Sequence, residues 1–117
     1  MKKILIVDDE PRITEAFEAG FNHDYEILCA HDGEEAIQVI RQAKPDLIVL
    51  DWRLKGGIDG KEVFLFSKRE YPEVPVCVVT ASIQSLKEIE SLGADGCFLK
   101  PCADLLEKIR SLLPPKN

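Results

Sequence analysis

Pro45-Asp46-Leu47-Ile48-Val49-Leu50-Asp51 carries four consecutive aliphatic residues closed off by a carboxylate. A strand with one face in water alternates apolar and polar residues. An unbroken apolar run of this length belongs instead to a strand buried on both faces, as in a parallel sheet covered by helices. The same signature recurs on either side, at Ile4–Val7, Ile27–Ala30, Val76–Val79 and Cys97–Leu99. Each run is short and bounded by charge, Gly or Pro, so five strands are expected.

Helical periodicity fills the gaps. Ile13, Ala16, Phe17, Gly20 and Phe21 fall on one face of a first helix, with Pro11 suited to its opening turn. Ala36, Ile37, Ile40 and Ala43 mark a second, closed by Lys44-Pro45. A third covers residues 60–71, ending before Pro72 and Pro75. Ile83, Leu86, Ile89 and Leu92 predict a fourth, stopped by Gly93. Leu105, Leu106, Ile109, Leu112 and Leu113 give the strongest pattern, broken by Pro114-Pro115. Strand and helix thus alternate five times. Parallel strands need crossover connections, almost always right-handed, which put helices on both faces. The expected fold is an α/β, doubly wound, five-stranded parallel sheet with strand order 2-1-3-4-5.

Composition agrees with one such unit. The 117 residues are 45% hydrophobic and 31% charged, the balance of an ordinary globular domain and not of a disordered tail or coiled coil. A chain this long buries roughly two-thirds of its unfolded surface, enough for a core without staples. Residues 1–117 therefore read as a single domain, with 114–117 its terminus or the start of a linker. The net charge of −6 gives no electrostatic reason to bind nucleic acid or an anionic membrane. No run approaches the roughly 20 apolar residues of a bilayer span. The four apolar residues after Met1-Lys2-Lys3 are too few for a secretion signal. A cytoplasmic location is expected. Cys29, Cys77, Cys97 and Cys102 form no C-x-x-C and stand at no ligand spacing from His23 or His31. They read as small hydrophobes, with the closeness of Cys97 and Cys102 leaving a redox role open.

Ligands of an open parallel sheet bind at the carboxyl ends of its strands, beside the reversal of strand order. Asp8, Asp9 and Glu10 follow the first strand, Asp51 the third, Thr80 the fourth and Lys100 the fifth. The predicted order makes these strands neighbours, so the side chains converge on one edge. Each has a plainer reading alone: Asp51 or Asp8-Asp9 as a helix cap or turn, Thr80 as a strand end, Lys100 as a surface lysine. Together they suggest more. Three crowded carboxylates repel unless a cation joins them. Few carboxylates, with room for water and a phosphate oxygen, suit Mg²⁺ better than Ca²⁺. A carboxylate beside such an ion can attack phosphorus, while Mg²⁺, the Lys100 ammonium and the Thr80 hydroxyl share the equatorial oxygens.

Ile4-Leu5-Ile6-Val7-Asp8-Asp9-Glu10, Pro45 to Asp51, Val78-Val79-Thr80-Ala81, and Gly93-Ala94-Asp95-Gly96 leading to Lys100-Pro101 together resemble the receiver domain of two-component response regulators. The likeness runs over the whole length. The resemblance implies a flavodoxin-like fold, with Asp51 as phospho-acceptor, Asp9 as a direct Mg²⁺ ligand and Asp8 holding the ion through water. It implies a further ligand in the backbone carbonyl of Arg53, phosphoryl contacts from Thr80 and Lys100, and a cis Lys100–Pro101 peptide. It also implies a histidine kinase or histidine phosphotransfer protein as donor, a downstream protein or output domain as reader, and a homodimer through the last two helices as one assembly found among relatives. Three places depart from the family pattern. Cys97 stands where an aromatic usually swings with the threonine, and Phe98 beside it points to the other face. The stretch from Thr80 to Lys100 is shorter than is common, and the Leu54-Lys55-Gly56-Gly57-Ile58 loop is longer.

Weaker signals are set aside. Gly56 to Lys61 fails the spacing of a phosphate-binding loop. His23 and His31 have no nucleophilic partner. Trp52 either covers the acidic pocket or packs as a loop aromatic. Lys87, Glu88, Glu90, Glu107, Lys108 and Arg110 are either a solvated face or the partner surface. A regulatory switch is thus expected, not an enzyme. An aspartyl-nucleophile phosphatase would need a second acid two residues after Asp51, where Arg53 stands. A phosphorylation-independent interaction module of the same fold is the remaining alternative.

Overall fold

In the computed structural model, which describes residues 1–21, 23–100 and 104–115, strands and helices alternate as the hydrophobic runs require. The strands are β1 (Lys3–Val7), β2 (Glu26–Ala30), β3 (Leu47–Asp51), β4 (Val76–Thr80) and β5 (Gly96–Leu99). They form one parallel sheet of order β2-β1-β3-β4-β5. In register, Val7 lies beside Ala30 and Leu50, and Asp51 beside Val79. All five residues of β3 are buried, as are all five of β4. That is why their sequences show no alternation.

Helices α1 (Pro11–Phe21), α2 (Gly33–Ala43), α3 (Gly60–Glu70), α4 (Leu86–Ser91) and α5 (Leu105–Leu112) cover the two faces. Alternate residues of each strand feed two separate cores. Leu5, Val7, Ile48, Leu50, Val76 and Val78 pack with Ala36, Ile40, Val63, Phe64 and Ile89. Ile4, Ile6, Leu47, Val49, Cys77 and Val79 pack with Phe21, Leu105 and Ile109. Each fully buried aliphatic side chain stabilises the fold by roughly 1.5–3 kcal/mol.

The helix boundaries have local causes. Asp32 caps α2 by accepting from the Glu35 amide at 2.7 Å. Lys44 closes α2 in a left-handed conformation (φ 50°), with Pro45 behind it unable to continue a helix. Asp59 and Glu62 form a reciprocal capping box at the start of α3. Beneath the opposite core, the Tyr25 hydroxyl donates to the Leu113 carbonyl, and Arg110 pairs with Asp24 at 2.9 Å. These contacts tie the end of α5 to the start of β2.

The structure differs from the sequence reading in places where exposure overrides pattern. Ile83 is 70% exposed and lies in a 3-10 turn (Ile83–Ser85), so α4 begins only at Leu86 and buries Ile89 alone. Ala16, Gly20 and Leu106 fit the apolar stripes of α1 and α5 but are exposed. Of the three described cysteines, only Cys77 is fully buried. Cys29 and Cys97 are half-buried, and Cys102 lies outside the described residues, as does the Lys100–Pro101 peptide. Cys97 packs on the core under α3 and α4, and Phe98 on the opposite one, the alternation expected of a strand. No helix among the described residues is long and apolar enough to cross a membrane.

Candidate phosphoryl and cation site

The carboxyl ends of β1 and β3 deliver the acids. Asp8, directly after β1, is 4% exposed; its amide donates to the Ala30 carbonyl and its Oδ1 accepts from the Glu10 amide at 2.9 Å. Asp51, the last residue of β3, is 7% exposed and its Oδ1 accepts from the Arg53 amide at 3.3 Å. Asp9 is half-buried beside them. One carboxylate oxygen from each of Asp8, Asp9 and Asp51 falls within 4.8 Å of the other two. Lys100, just past β5, reaches over: its Nζ lies 3.3 Å from Asp51 Oδ2 and 3.6 Å from Asp8 Oδ2.

The backbone holds Lys100 in that place. Its amide donates to the Thr80 carbonyl at 2.8 Å, extending the β4–β5 ladder by one step. Thr80 itself is 1% exposed, and its Oγ1 accepts from the Ser82 amide at 3.0 Å. The hydroxyl therefore stands at the neighbouring strand end, engaged with the loop after β4. The Arg53 side chain is exposed, while its amide faces the site through Asp51. Asp8, Asp9, Asp51 and Lys100 are thus brought together, with Thr80 and the Arg53 backbone attached one bond away.

Electrostatics match this crowding. Burial pushes the Asp51 carboxyl above its ordinary range; Lys100 pulls it down, Asp8 pushes it further up, and the net is upward. Burial alone would lower the Lys100 ammonium, but Asp51 and Asp8 together outweigh it and hold it above its usual value. One ammonium does not balance three acids. An octahedral Mg²⁺ with ligands at about 2.1 Å places its oxygens about 3–4 Å apart, so three carboxylate oxygens spread over 4.8 Å fit such an ion with a small inward movement. The donor set is all hard oxygen. An apolar cavity of about 460 Å³, lined among others by Ile6, Phe17, Val49, Val79 and Leu105, opens beside Asp8, Asp51 and Lys100.

Trp52 does not cover the pocket. It is 8% exposed and packs edge-on against Phe64, 6.2 Å between centroids, in the core under α3. Three supporting groups had no role assigned from the sequence, although Asp95 lies in one of the stretches that carry the resemblance. Asp95 Oδ2 accepts from both Lys68 Nζ (2.7 Å) and the Val76 amide (2.8 Å), fixing the turn before β5. Ser82 holds the Thr80 hydroxyl. Gly60 leaves no room for a side chain: a Cβ there would lie 2.6 Å from the Asp51 carbonyl oxygen. The Asp59-Gly60 pair at a helix start was the one available signal for that close approach.

Comparison with known proteins is consistent across the chain. The family model of the response regulator receiver domain matches residues 4–110. The response regulator protein TrrA from Thermotoga maritima, solved in complex with Mg²⁺-BeF, shares 34% identity at a TM-score of 0.86, covering 97% of this chain and 100% of that one. A CheY-like response regulator receiver domain protein from Methanospirillum hungatei is 29% identical over 95% of this chain and 92% of its own, with a TM-score of 0.85. The chemotaxis protein CheY4 of Vibrio cholerae is 28% identical over 97% and 99%, with a TM-score of 0.83.

Proposed function

The chain belongs to the response regulator receiver domain family, and from that premise we propose that it accepts a phosphoryl group on Asp51 and uses the phosphorylated state to switch a partner-binding surface. The observation that carries this reading is the contact of Lys100 Nζ, 3.3 Å from Asp51 Oδ2, within a cluster of two further acids. Asp8 and Asp9 would hold Mg²⁺ with Asp51 and the Arg53 backbone carbonyl; the ion supplies positive charge where a phosphoryl oxygen must sit.

Each residue then has a defined task. An Asp51 carboxylate oxygen forms the new O–P bond while the N–P bond of a phosphohistidine donor breaks, and the imidazole leaves with the electron pair and takes up a proton. The Lys100 ammonium, already desolvated on the carboxylate side, passes from the carboxylate to a phosphoryl oxygen. The Thr80 hydroxyl moves from the Ser82 amide to another. That exchange would drag the loop after β4, where the short 3-10 turn and α4 are weakly anchored. With Cys97 in β5 the readout runs through this backbone shift and not through an aromatic rotor. The donor is a histidine kinase or histidine phosphotransfer protein in the cytoplasm, and a downstream protein or output domain reads the state. Pairing of two copies through α4 and α5 fits the same reading.

A switch is favoured over an esterase because Arg53, two residues after Asp51, cannot protonate a leaving group. A phosphorylation-independent module draws support only from Cys97; it requires equal partner affinity with and without an aspartyl phosphate analogue. The test is incubation with Mg²⁺ and a small phosphodonor followed by intact mass. One phosphoryl adduct, lost in Asp51→Asn and in EDTA, is expected. An adduct that persists in Asp51→Asn would refute the assignment.

A further inference from the structure

We infer that Gly33, at the first position of α2 and outside the acid cluster, is a positioning residue for the cation: the bare Cα lets the β3–α3 loop seat on α2, and that seat holds the end of β3 in its metal-competent place. The inference rests on the proposed Mg²⁺ site.

The β3–α3 connection packs on the core at Leu54 and Ile58 and is open between them. Lys55, Gly56 and Gly57 are exposed, and a Cβ on Gly56 or Gly57 would meet nothing within 4 Å. The chain becomes tight again at Ile58, which is half-buried against the core under α2 and α3. A Cβ on Gly33 would fall 2.6 Å from Ile58 Cγ2 and 2.7 Å from its Cβ, and closer still to its carbonyl oxygen. Two residues on, Gly60 abuts the strand end: a Cβ there would lie 2.6 Å from the Asp51 carbonyl oxygen and 2.7 Å from the Trp52 carbonyl carbon. Ile58–Gly60 thus touches α2 at one end and the last residues of β3 at the other, with no slack at either.

Both supports are stiff. α2 is fixed by its Asp32 cap, with the Ala36 amide bonded to the Asp32 carbonyl and Ala36 and Ile40 buried. The segment Asp59–Glu62 is locked by the capping box. A side chain at Gly33 therefore cannot be relieved by a flexible tip. It would push Ile58 and Gly60 against the carbonyls of Asp51 and Trp52. Arg53 is the next residue, and its amide already bonds Asp51 Oδ1, so the displacement reaches both the carboxylate and the backbone carbonyl proposed as ligands.

The test is an Mg²⁺ titration of the full chain, followed by the amide shifts of residues 51–53, with thermal unfolding recorded on the same samples. Gly33→Ala should weaken Mg²⁺ binding by about tenfold, the lower end of the loss seen when outer-shell support of a metal ligand is disturbed. Gly57→Ala, in open space, should bind as the unaltered protein does. Ile40→Val, which loosens the buried face of α2, should lower Tm without changing Mg²⁺ affinity. That separates a positioning role from general destabilisation. Should Gly33→Ala not fold, Ile58→Ala empties the same seat without a clash and is expected to weaken binding in the same direction. Unchanged Mg²⁺ affinity in whichever of these two variants folds would overturn the inference, provided the unaltered protein binds. An unaltered protein that binds no Mg²⁺ would overturn the cation reading itself, and the inference with it.

Discussion

Replacing Asp51 by Asn should stabilise the metal-free protein at neutral pH. Oxygens of Asp8, Asp9 and Asp51 lie within 4.8 Å of one another, so at an effective dielectric of about 20 each of the two pairs that include Asp51 repels by at least ~3.5 kcal/mol. Lys100 Nζ, 3.3 Å away, offsets about 5 kcal/mol on the same scale. The balance is about 2 kcal/mol of net repulsion, to which the burial of a charged carboxyl adds. Water around Lys100, whose side chain is 34% exposed, and around half-buried Asp9 screens both signs. The measurable gain is therefore about 1–2 kcal/mol, or ~3–8 °C in Tm for a domain of this size. The amide keeps an oxygen for the Arg53 N–H and leaves Lys100 paired with Asp8 at 3.6 Å.

The pH dependence has a definite sign. Burial first, and Asp8 after it, hold the Asp51 pKa above its ordinary 3.8 despite Lys100. A carboxyl raised on folding binds its proton more tightly in the native state, so it leaves stability intact below the unfolded value and removes it as pH rises through the folded one. The advantage of Asp51→Asn should be full near pH 7, shrink as pH falls toward the ordinary carboxylate range, and vanish below it. Urea and thermal unfolding by circular dichroism, in EDTA and across that range, measure it. Mg²⁺ should reverse the order, because the unaltered protein gains binding free energy that the variant loses. A variant no more stable than the parent near pH 7, or one whose advantage persists at low pH, would refute the reasoning.

Two further outcomes follow from single contacts. Lys100→Met leaves Asp51 and Asp8 facing each other without their cation and should cost about 1–2 kcal/mol in EDTA near neutral pH, less in an Asp51→Asn background; the Lys100 pKa stands above 10.5 because Asp51 and Asp8 outweigh the lowering by burial, so the loss should be flat through neutral pH and fade only at strongly alkaline pH, and equal stability of variant and parent in urea would show the contact contributes nothing. Tyr25→Phe deletes the bond to the Leu113 carbonyl and should lower stability by about 1–2 kcal/mol while speeding hydrogen exchange of the α5 amides; unchanged exchange would show that this bond does not hold α5.

The readings that succeeded share a physical basis. An apolar run without alternation reports burial on both faces whatever surrounds it, so Leu47–Leu50 and Val76–Val79 identified central strands directly. Strand order then placed Asp8, Asp9, Asp51, Thr80 and Lys100 on one edge, since they stand at the carboxyl ends of the four adjacent strands β1, β3, β4 and β5. The readings that failed concern amphipathic stripes. Ile83 and Leu106 have the spacing of core residues but face solvent, because α4 and α5 are short and a stripe says which residues share a face, not how far the neighbouring element extends to cover them.

What the chain determined alone is the order of its elements and the identity of the polar residues at their ends. Both are properties of consecutive residues, set by side-chain type and backbone preference. The tertiary structure decided the rest: that Lys100 bonds Asp51 and Asp8 while Thr80 engages Ser82, that Trp52 turns into the core under α3, and that Gly33 and Gly60 bracket the loop beside the acids. Apart from the local Thr80–Ser82 bond, these are distances between separate segments of the chain, and they depend on how closely helices and loops pack against the sheet, which no local pattern encodes.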